Sequence, residues 1–144
     1  MEYIRAAGKD SVYNLLLEFS EVFPHLEEKI TNMDEYAEKL SEFACVYTAK
    51  KDDDNVGVLV FYANDMKTKN AYISLIGVKK DYEGMGFGKE LLTFCEQISQ
   101  KNGMCILKLE VDEDNTRAIR FYEKNGFVFV SETDHDSFYM QKDI

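Results

Sequence analysis

The stretch from Val78 to Leu92, VKKDYEGMGFGKELL, constrains the fold more than any other part of the chain. It begins at the end of an apolar run, Tyr72-Ile73-Ser74-Leu75-Ile76-Gly77-Val78, which reads as a strand. It leads into Leu91, Phe94, Cys95 and Ile98, whose spacing of three and four marks one face of a helix. Between the two stand Gly84, Gly86 and Gly88. A strand, a glycine-rich turn and a helix present unpaired backbone N–H groups to an anion at the helix N-terminus. Glycine clears side chains from that approach and permits positive φ. The result is a diphosphate cradle made of backbone. The string G-x-x-x-x-G-K-[ST] of a P-loop does not occur, and G-x-G-x-G past mid-chain is not the early G-x-G-x-x-G of a dinucleotide fold. By itself the pattern is equally compatible with a turn that binds nothing.

The surrounding elements narrow the choice. Glu2 to Ala6 reads as a short strand. Asp10 can cap a helix carrying Val12, Leu15, Leu16, Phe19, Val22 and Phe23, ended by Pro24, the only proline. Thr31 or Asn32 can cap a second helix, with Glu35 three residues beyond Asn32 as in a capping box. Three strands follow in hairpins, at about 44–50, 56–62 and 71–78. After the glycine turn a helix runs to about Lys101 and stops at Asn102-Gly103. A strand at 104–111, a helix from Asn115 to Lys124, and strands at 127–131 and 137–142 complete the order. Helices mixed with hairpins in this way predict a mixed α/β (α+β) sheet with helices on its faces, in one domain over residues 1–144.

Composition excludes several functions. No run of about 18 apolar residues is present, so no membrane span is expected, and the N-terminus lacks the features of a signal peptide. A net charge of −10 argues against nucleic acid, whose affinity comes largely from Lys and Arg; it suits a cationic partner or substrate, and more readily still a solvated acidic surface. Cys45, Cys95 and Cys105 fit no metal spacing and read as reduced core thiols, which suggests a cytoplasmic protein without a metal.

Two segments together resemble the GNAT superfamily of acetyl-CoA-dependent N-acetyltransferases. Val78 to Gly88 is similar to its [RQ]-x-x-G-x-[GA] turn after the fourth strand. Leu109 to Phe127, LEVDEDNTRAIRFYEKNGF, is similar to its L-x-V-x(3)-N-x(2)-A-x(3)-Y-E-K-x-G-F segment. The resemblance implies a mostly antiparallel sheet of about six to seven strands, flanked by about four helices and splayed between the fourth and fifth strands. It implies acetyl-CoA as co-substrate, a small-molecule or protein amine as acceptor, and room for a homodimer.

The resemblance also implies roles. Gly84, Gly86 and Gly88, with the N–H groups from Met85 through Phe87 to Lys89, would hold the coenzyme diphosphate. Glu83 stands where the family usually has Arg or Gln, which reduces the expected electrostatic help. Ile76, Gly77 and Val78 would lie along the pantetheine arm on a bulged fourth strand, and glycine inside a strand marks a bulge or a close backbone approach. Asn115, Ala118 and Tyr122, spaced i, i+3, i+7, share one helix face, and Ala118 leaves room there. Asn115 is equally an N-cap and Tyr122 equally a packed aromatic. By resemblance the Tyr122 hydroxyl faces the coenzyme sulfur as a hydrogen-bond donor.

A base is needed too, because an amine of pKa near 10.4 is neutral in only roughly one molecule in 2,500 at pH 7. The resemblance implies a carboxylate base on the fourth or fifth strand; the fourth offers only Tyr72 and Ser74, so Glu110 on the fifth is the candidate, against its reading as a strand-end charge. His25 and His135 sit in loops near the expected acceptor pocket, around residues 26–42 and 132–138. The expected activity is direct acetyl transfer to a primary amine. The alternatives are an acyl-CoA-binding sensor that does not turn over, or transfer to a sugar amine or hydroxyl.

Overall fold

The computed structural model describes all 144 residues, except for the side chain of Lys29. Seven strands form one sheet: β1 (Glu2–Arg5), β2 (Cys45–Lys51), β3 (Asp54–Tyr62), β4 (Asn70–Val78), β5 (Ile106–Asp112), β6 (Val128–Glu132) and β7 (Ser137–Asp143). Their spatial order is β1-β2-β3-β4-β5-β7-β6. Every neighbouring pair is antiparallel except β4 and β5. Five helices cover the faces: α1 (Lys9–Glu18), α2 (Leu26–Lys29), α3 (Met33–Phe43), α4 (Phe87–Lys101) and α5 (Thr116–Lys124).

The central strand β3 reads as an unbroken apolar run because both of its faces are covered. Val58 and Val60 pack under α1 and α3 with Val12, Leu16, Phe19 and Leu40. Leu59 and Phe61 pack under α4 with Leu91, Leu92, Cys95 and Leu107. Asn32 caps α3 by accepting the Glu35 N–H at 3.1 Å, as the capping-box spacing predicts.

The N-terminal region departs from expectation. The first helix stops at Glu18, and Gly8 rather than Asp10 precedes it, without a side-chain cap. Phe19 remains in the core, but Val22 and Phe23 belong to a connecting loop, and a short additional helix, α2, follows Pro24. Val22 and Phe23 are apolar because they press on β4, not because they continue a helix face. Cys105 is exposed and Cys45 half-buried, so only Cys95 is a core thiol. Burial pushes the Cys95 thiol up to about 12.

The feature that matters for function is the way β4 and β5 part. They pair in parallel only from Asn70↔Ile106 to Ile73↔Leu109. Beyond that point Ser74–Val78 continues along β3, while Glu110–Asp112 continues along β7. The bulge sits opposite Val60/Phe61, where Val60 pairs with Leu75 and Phe61 with Ile73, so Ser74 is the extra residue. Gly77 is therefore not the bulge. A Cβ there would lie 2.5 Å from Val22 Cγ1 and 2.9 Å from Phe23 Cζ, so Gly77 marks the close approach of the α1–α2 loop.

Candidate active site

The parted strands open a fork, and the glycine turn lies at its outer end. Gly84 and Gly86 have φ of 78° and 83°, and a Cβ at either would meet nothing within 4 Å. These two glycines are needed for backbone conformation, and the space above them is open. Gly88 serves packing instead. A Cβ there would stand 3.1 Å from Phe121 Cζ, so the glycine lets α5 approach α4. In α4 the first backbone bond runs from Glu90 N–H to Gly86 C=O. The N–H groups of Phe87, Gly88 and Lys89 therefore have no intrahelical partner and project from the helix N-terminus.

A cleft of about 540 Å³ runs from this turn along β4 to α5. Ile76, Gly77 and Val78 line one wall; Asn115, Ala118 and Tyr122 line the other, with Glu83, Gly84, Gly86, Phe87, Gly88 and Lys89 at the end. Met85 does not join them, and its side chain points to solvent at 62% exposed. Three further residues line the cleft that the sequence did not mark as site residues: Val22, read there as part of a helix face, Arg117 and Phe121. Asn115 does cap α5, accepting the Ala118 N–H at 3.2 Å, so it has a structural role and a place in the cleft at once.

At the fork itself, a cavity of about 590 Å³ brings together Tyr72, Ser74, Glu110, Asn115, Ala118, Tyr122 and His135. Burial pushes the Tyr122 phenol up to about 12, so it keeps its proton at neutral pH. Its ring is held edge-on by Phe121 and Phe127, each with centroids 5.5 Å away. Burial, with help from the Glu110 charge, also pushes Tyr72 up to about 12.

Glu110 is the first residue of β5 beyond the parallel pairing. Its Oε2 accepts from Ser137 Oγ at 2.6 Å and faces His135 Nε2 at 2.6 Å. Ser137 is buried, and its Oγ lies 2.6 Å from Thr133 Oγ1. His135 Nδ1 lies 2.8 Å from Asp134 Oδ1. A carboxylate at each ring nitrogen favours the charged imidazolium, which donates at both ends. The Asp134 hydrogen bond first, and that of Glu110 second, hold His135 above the usual imidazole range.

A third cavity, of about 880 Å³, opens on the far side of the fork. One wall is apolar, from Val22, Phe23, Pro24, Leu26, Ile30 and Leu75. The other carries Asp112, Asp114 and Asp136, with His25 and His135; among the described residues no Lys or Arg lines it. The Glu113 N–H donates to Asp136 C=O at 3.0 Å, which ties the two acidic loops together. The residues expected to shape an acceptor pocket are represented by Leu26, Ile30, Tyr36, His135 and Asp136. The three cavities share Asn115, and the second shares Ala118 and Tyr122 with the first.

A family model described as the acetyltransferase (GNAT) family matches residues 9–127, most of the chain, and the chain belongs to that family. The resemblance carried by the glycine turn and the Asn115–Tyr122 helix is thereby borne out. Among curated relatives, spermidine N(1)-acetyltransferase of Thermoplasma acidophilum is 38% identical over 65 residues, 45% of this chain. N-alpha-acetyltransferase 30 of Schizosaccharomyces pombe is 32% identical over 60 residues, 42% of this chain. The chain spans 40% of the length of each. The solved structure of the PaiA N-acetyltransferase of Thermoplasma acidophilum in complex with coenzyme A covers 100% of both chains with a TM-score of 0.74 at 23% identity. That likeness extends the shared fold to the full length. Among the described residues no helix is long and apolar enough to cross a membrane, and no group of three or more His, Cys, Asp or Glu is placed to hold a metal.

Proposed function

We propose that the chain, as a single N-acetyltransferase domain over residues 1–144, moves an acetyl group from acetyl-CoA to a primary amine of a small cationic acceptor. The observation that carries this reading is the meeting of two clefts at the fork. The glycine-turn cleft and the acid-lined cavity lie on either side of the space that holds Tyr122 and Glu110.

The chain suits the coenzyme. Open space over Gly84 and Gly86, free N–H groups at the start of α4 and an unpaired β4 edge from Ser74 to Val78 match a diphosphate followed by an amide-bearing arm. Acetyl-CoA supplies a thioester, already activated toward an amine. Among the described residues no cysteine lines any of the three cavities, which favours direct attack over an acyl-enzyme.

Tyr122 acts as a hydrogen-bond donor to the leaving sulfur. With the phenol at about 12 and a thiol near 8.5, complete transfer of its proton is uphill by ~5 kcal/mol, so the bond stabilises developing charge and the proton stays on oxygen. Glu110 takes the ammonium proton. Its Oε2 is held by Ser137 and His135, and Glu110 lines the cavity at the fork. Asp114 and Asp136 favour an acceptor with further positive charge, and the apolar wall suits a hydrocarbon segment between charges. That chemistry agrees with the spermidine acetyltransferase among the relatives.

The test is thiol release from acetyl-CoA with spermidine, butylamine, a peptide with a free N-terminus and glucosamine. Spermidine should exceed butylamine by roughly fivefold or more in kcat/KM, about 1 kcal/mol for one further paired charge. Coenzyme binding without release from any amine would make the chain a sensor. Preference for the peptide would move the acceptor class to protein N-termini.

A further inference from the structure

Glu83 places a carboxylate at the end of a cleft whose backbone is arranged for an anion, an electrostatic mismatch that the structure resolves from across the cleft. Arg117 Nη1 donates to Glu83 Oε2 at 3.2 Å. Arg117 stands second in α5, in the first turn, where the helix dipole disfavours a cation and that turn carries no acidic residue of its own. Its position is locally unfavourable unless an anion is brought to it. Glu83 is one such anion, but the pair is open to water, with 78% of the Arg117 side chain and 41% of that of Glu83 exposed, so it is held weakly.

Other cations near the turn are differently placed. Lys79 is bound to Glu18 Oε2 at 2.8 Å and lies over the Phe19 ring at 5.1 Å. Lys80 lines an adjoining cavity of about 620 Å³, which shares Glu83 and Arg117 with the glycine-turn cleft but is not lined by its glycines. Arg117 and Lys89 are the basic residues that line the cleft together with Gly84, Gly86 and Gly88. Of the two, the arginine has the planar fork that matches phosphate oxygens.

We infer that Arg117 is the cation of the coenzyme diphosphate site and that Glu83 is its resident counter-ion, which the diphosphate displaces on binding. This rests on the coenzyme reading above. Entry exchanges one exposed ion pair for a charge-assisted pair with phosphate, and Glu83 competes with the ligand for the same guanidinium. Removing Glu83 therefore raises affinity and removing Arg117 lowers it.

The experiment is calorimetric titration of wild type, Arg117→Ala, Arg117→Lys and Glu83→Gln with coenzyme A and with 3′-dephospho-coenzyme A, at low and high salt. Arg117→Ala should weaken both ligands by roughly tenfold, Arg117→Lys should recover part of the loss, and Glu83→Gln should tighten both by roughly two- to fivefold. All three differences should shrink at high salt. Wild-type affinity in Arg117→Ala, or weaker binding by Glu83→Gln, would overturn the inference. A loss confined to coenzyme A would place Arg117 on the 3′-phosphate and overturn it as well. If wild type binds neither ligand, the coenzyme reading itself fails, a result separate from these.

Discussion

The two sides of the fork are built in different ways. The side proposed for the coenzyme is mostly backbone: two glycines at positive φ, the first N–H groups of α4 and the free edge of β4. Nearly all of it comes from two continuous segments, residues 74–89 and 115–122. The side proposed for the acceptor is mostly side chains, gathered from the segment between α1 and α3, from α3 itself, from β4, from the end of β5 and the β5–α5 loop, and from the β6–β7 turn. Backbone geometry written in a short segment survives as a local signal. A pocket assembled from distant loops has no such signal, because its members become neighbours only after the sheet forms.

This difference predicts that damage to the coenzyme side is severe and general, whereas damage to the acceptor side is milder and depends on the acceptor. Gly86→Val is the largest case. The new side chain has room, but a β-branched residue resists φ of 83° and occupies the approach to the helix N-terminus. Coenzyme binding should fall by at least roughly 100-fold in calorimetry, while thermal melting shows the chain still folded and lowered by a few degrees. Normal binding would show that the turn is not the cradle.

Tyr122→Phe should lower kcat by roughly 10- to 1,000-fold with coenzyme affinity nearly intact, as for a group that acts mainly in the transition state. Equal activity would return Tyr122 to packing between Phe121 and Phe127. Glu110→Gln should reduce kcat/KM by roughly 100-fold at neutral pH and less as the pH approaches the pKa of the free amine, where a base is no longer needed. A loss that does not shrink with rising pH would make Glu110 the support of the Ser137–His135 turn and not the base.

The smallest effect belongs to the acid wall. Asp114→Asn with Asp136→Asn should raise KM for spermidine by roughly threefold to tenfold and leave KM for butylamine unchanged. Asn tolerates the positive φ of Asp136, 62°, so the turn is preserved. Equal effects on both amines would mean that the wall shapes the pocket without reading charge.

Most of the fold is legible in the sequence, for reasons that particular residues illustrate. Asn32 with Glu35, Asn115 before an amphipathic turn, and Asn102-Gly103 are local signals, and each falls where the chain needs a cap or a stop. The first helix reads too long because Val22 and Phe23 keep its spacing by accident; their apolar character belongs to the contact with Gly77. Gly77 illustrates the same limit, since a glycine in a strand does not say whether it makes a bulge or admits a neighbour. The partner of Glu83 is equally hidden. Lysines at positions 79, 80 and 89 are near it in sequence, but the cation that reaches it is Arg117, 34 positions on. His135 stands out only as a loop histidine, and its contact with Glu110 depends on β7 aligning Ser137 opposite Asp112.

Direct attack by the amine requires both sides of the fork to be occupied at once. Initial rates of thiol release, measured while acetyl-CoA and spermidine are varied against each other, test that requirement most directly. Double-reciprocal lines that intersect are expected, because a ternary complex must form before acetyl transfer. Parallel lines, the pattern of an acyl-enzyme formed before the acceptor arrives, would contradict it.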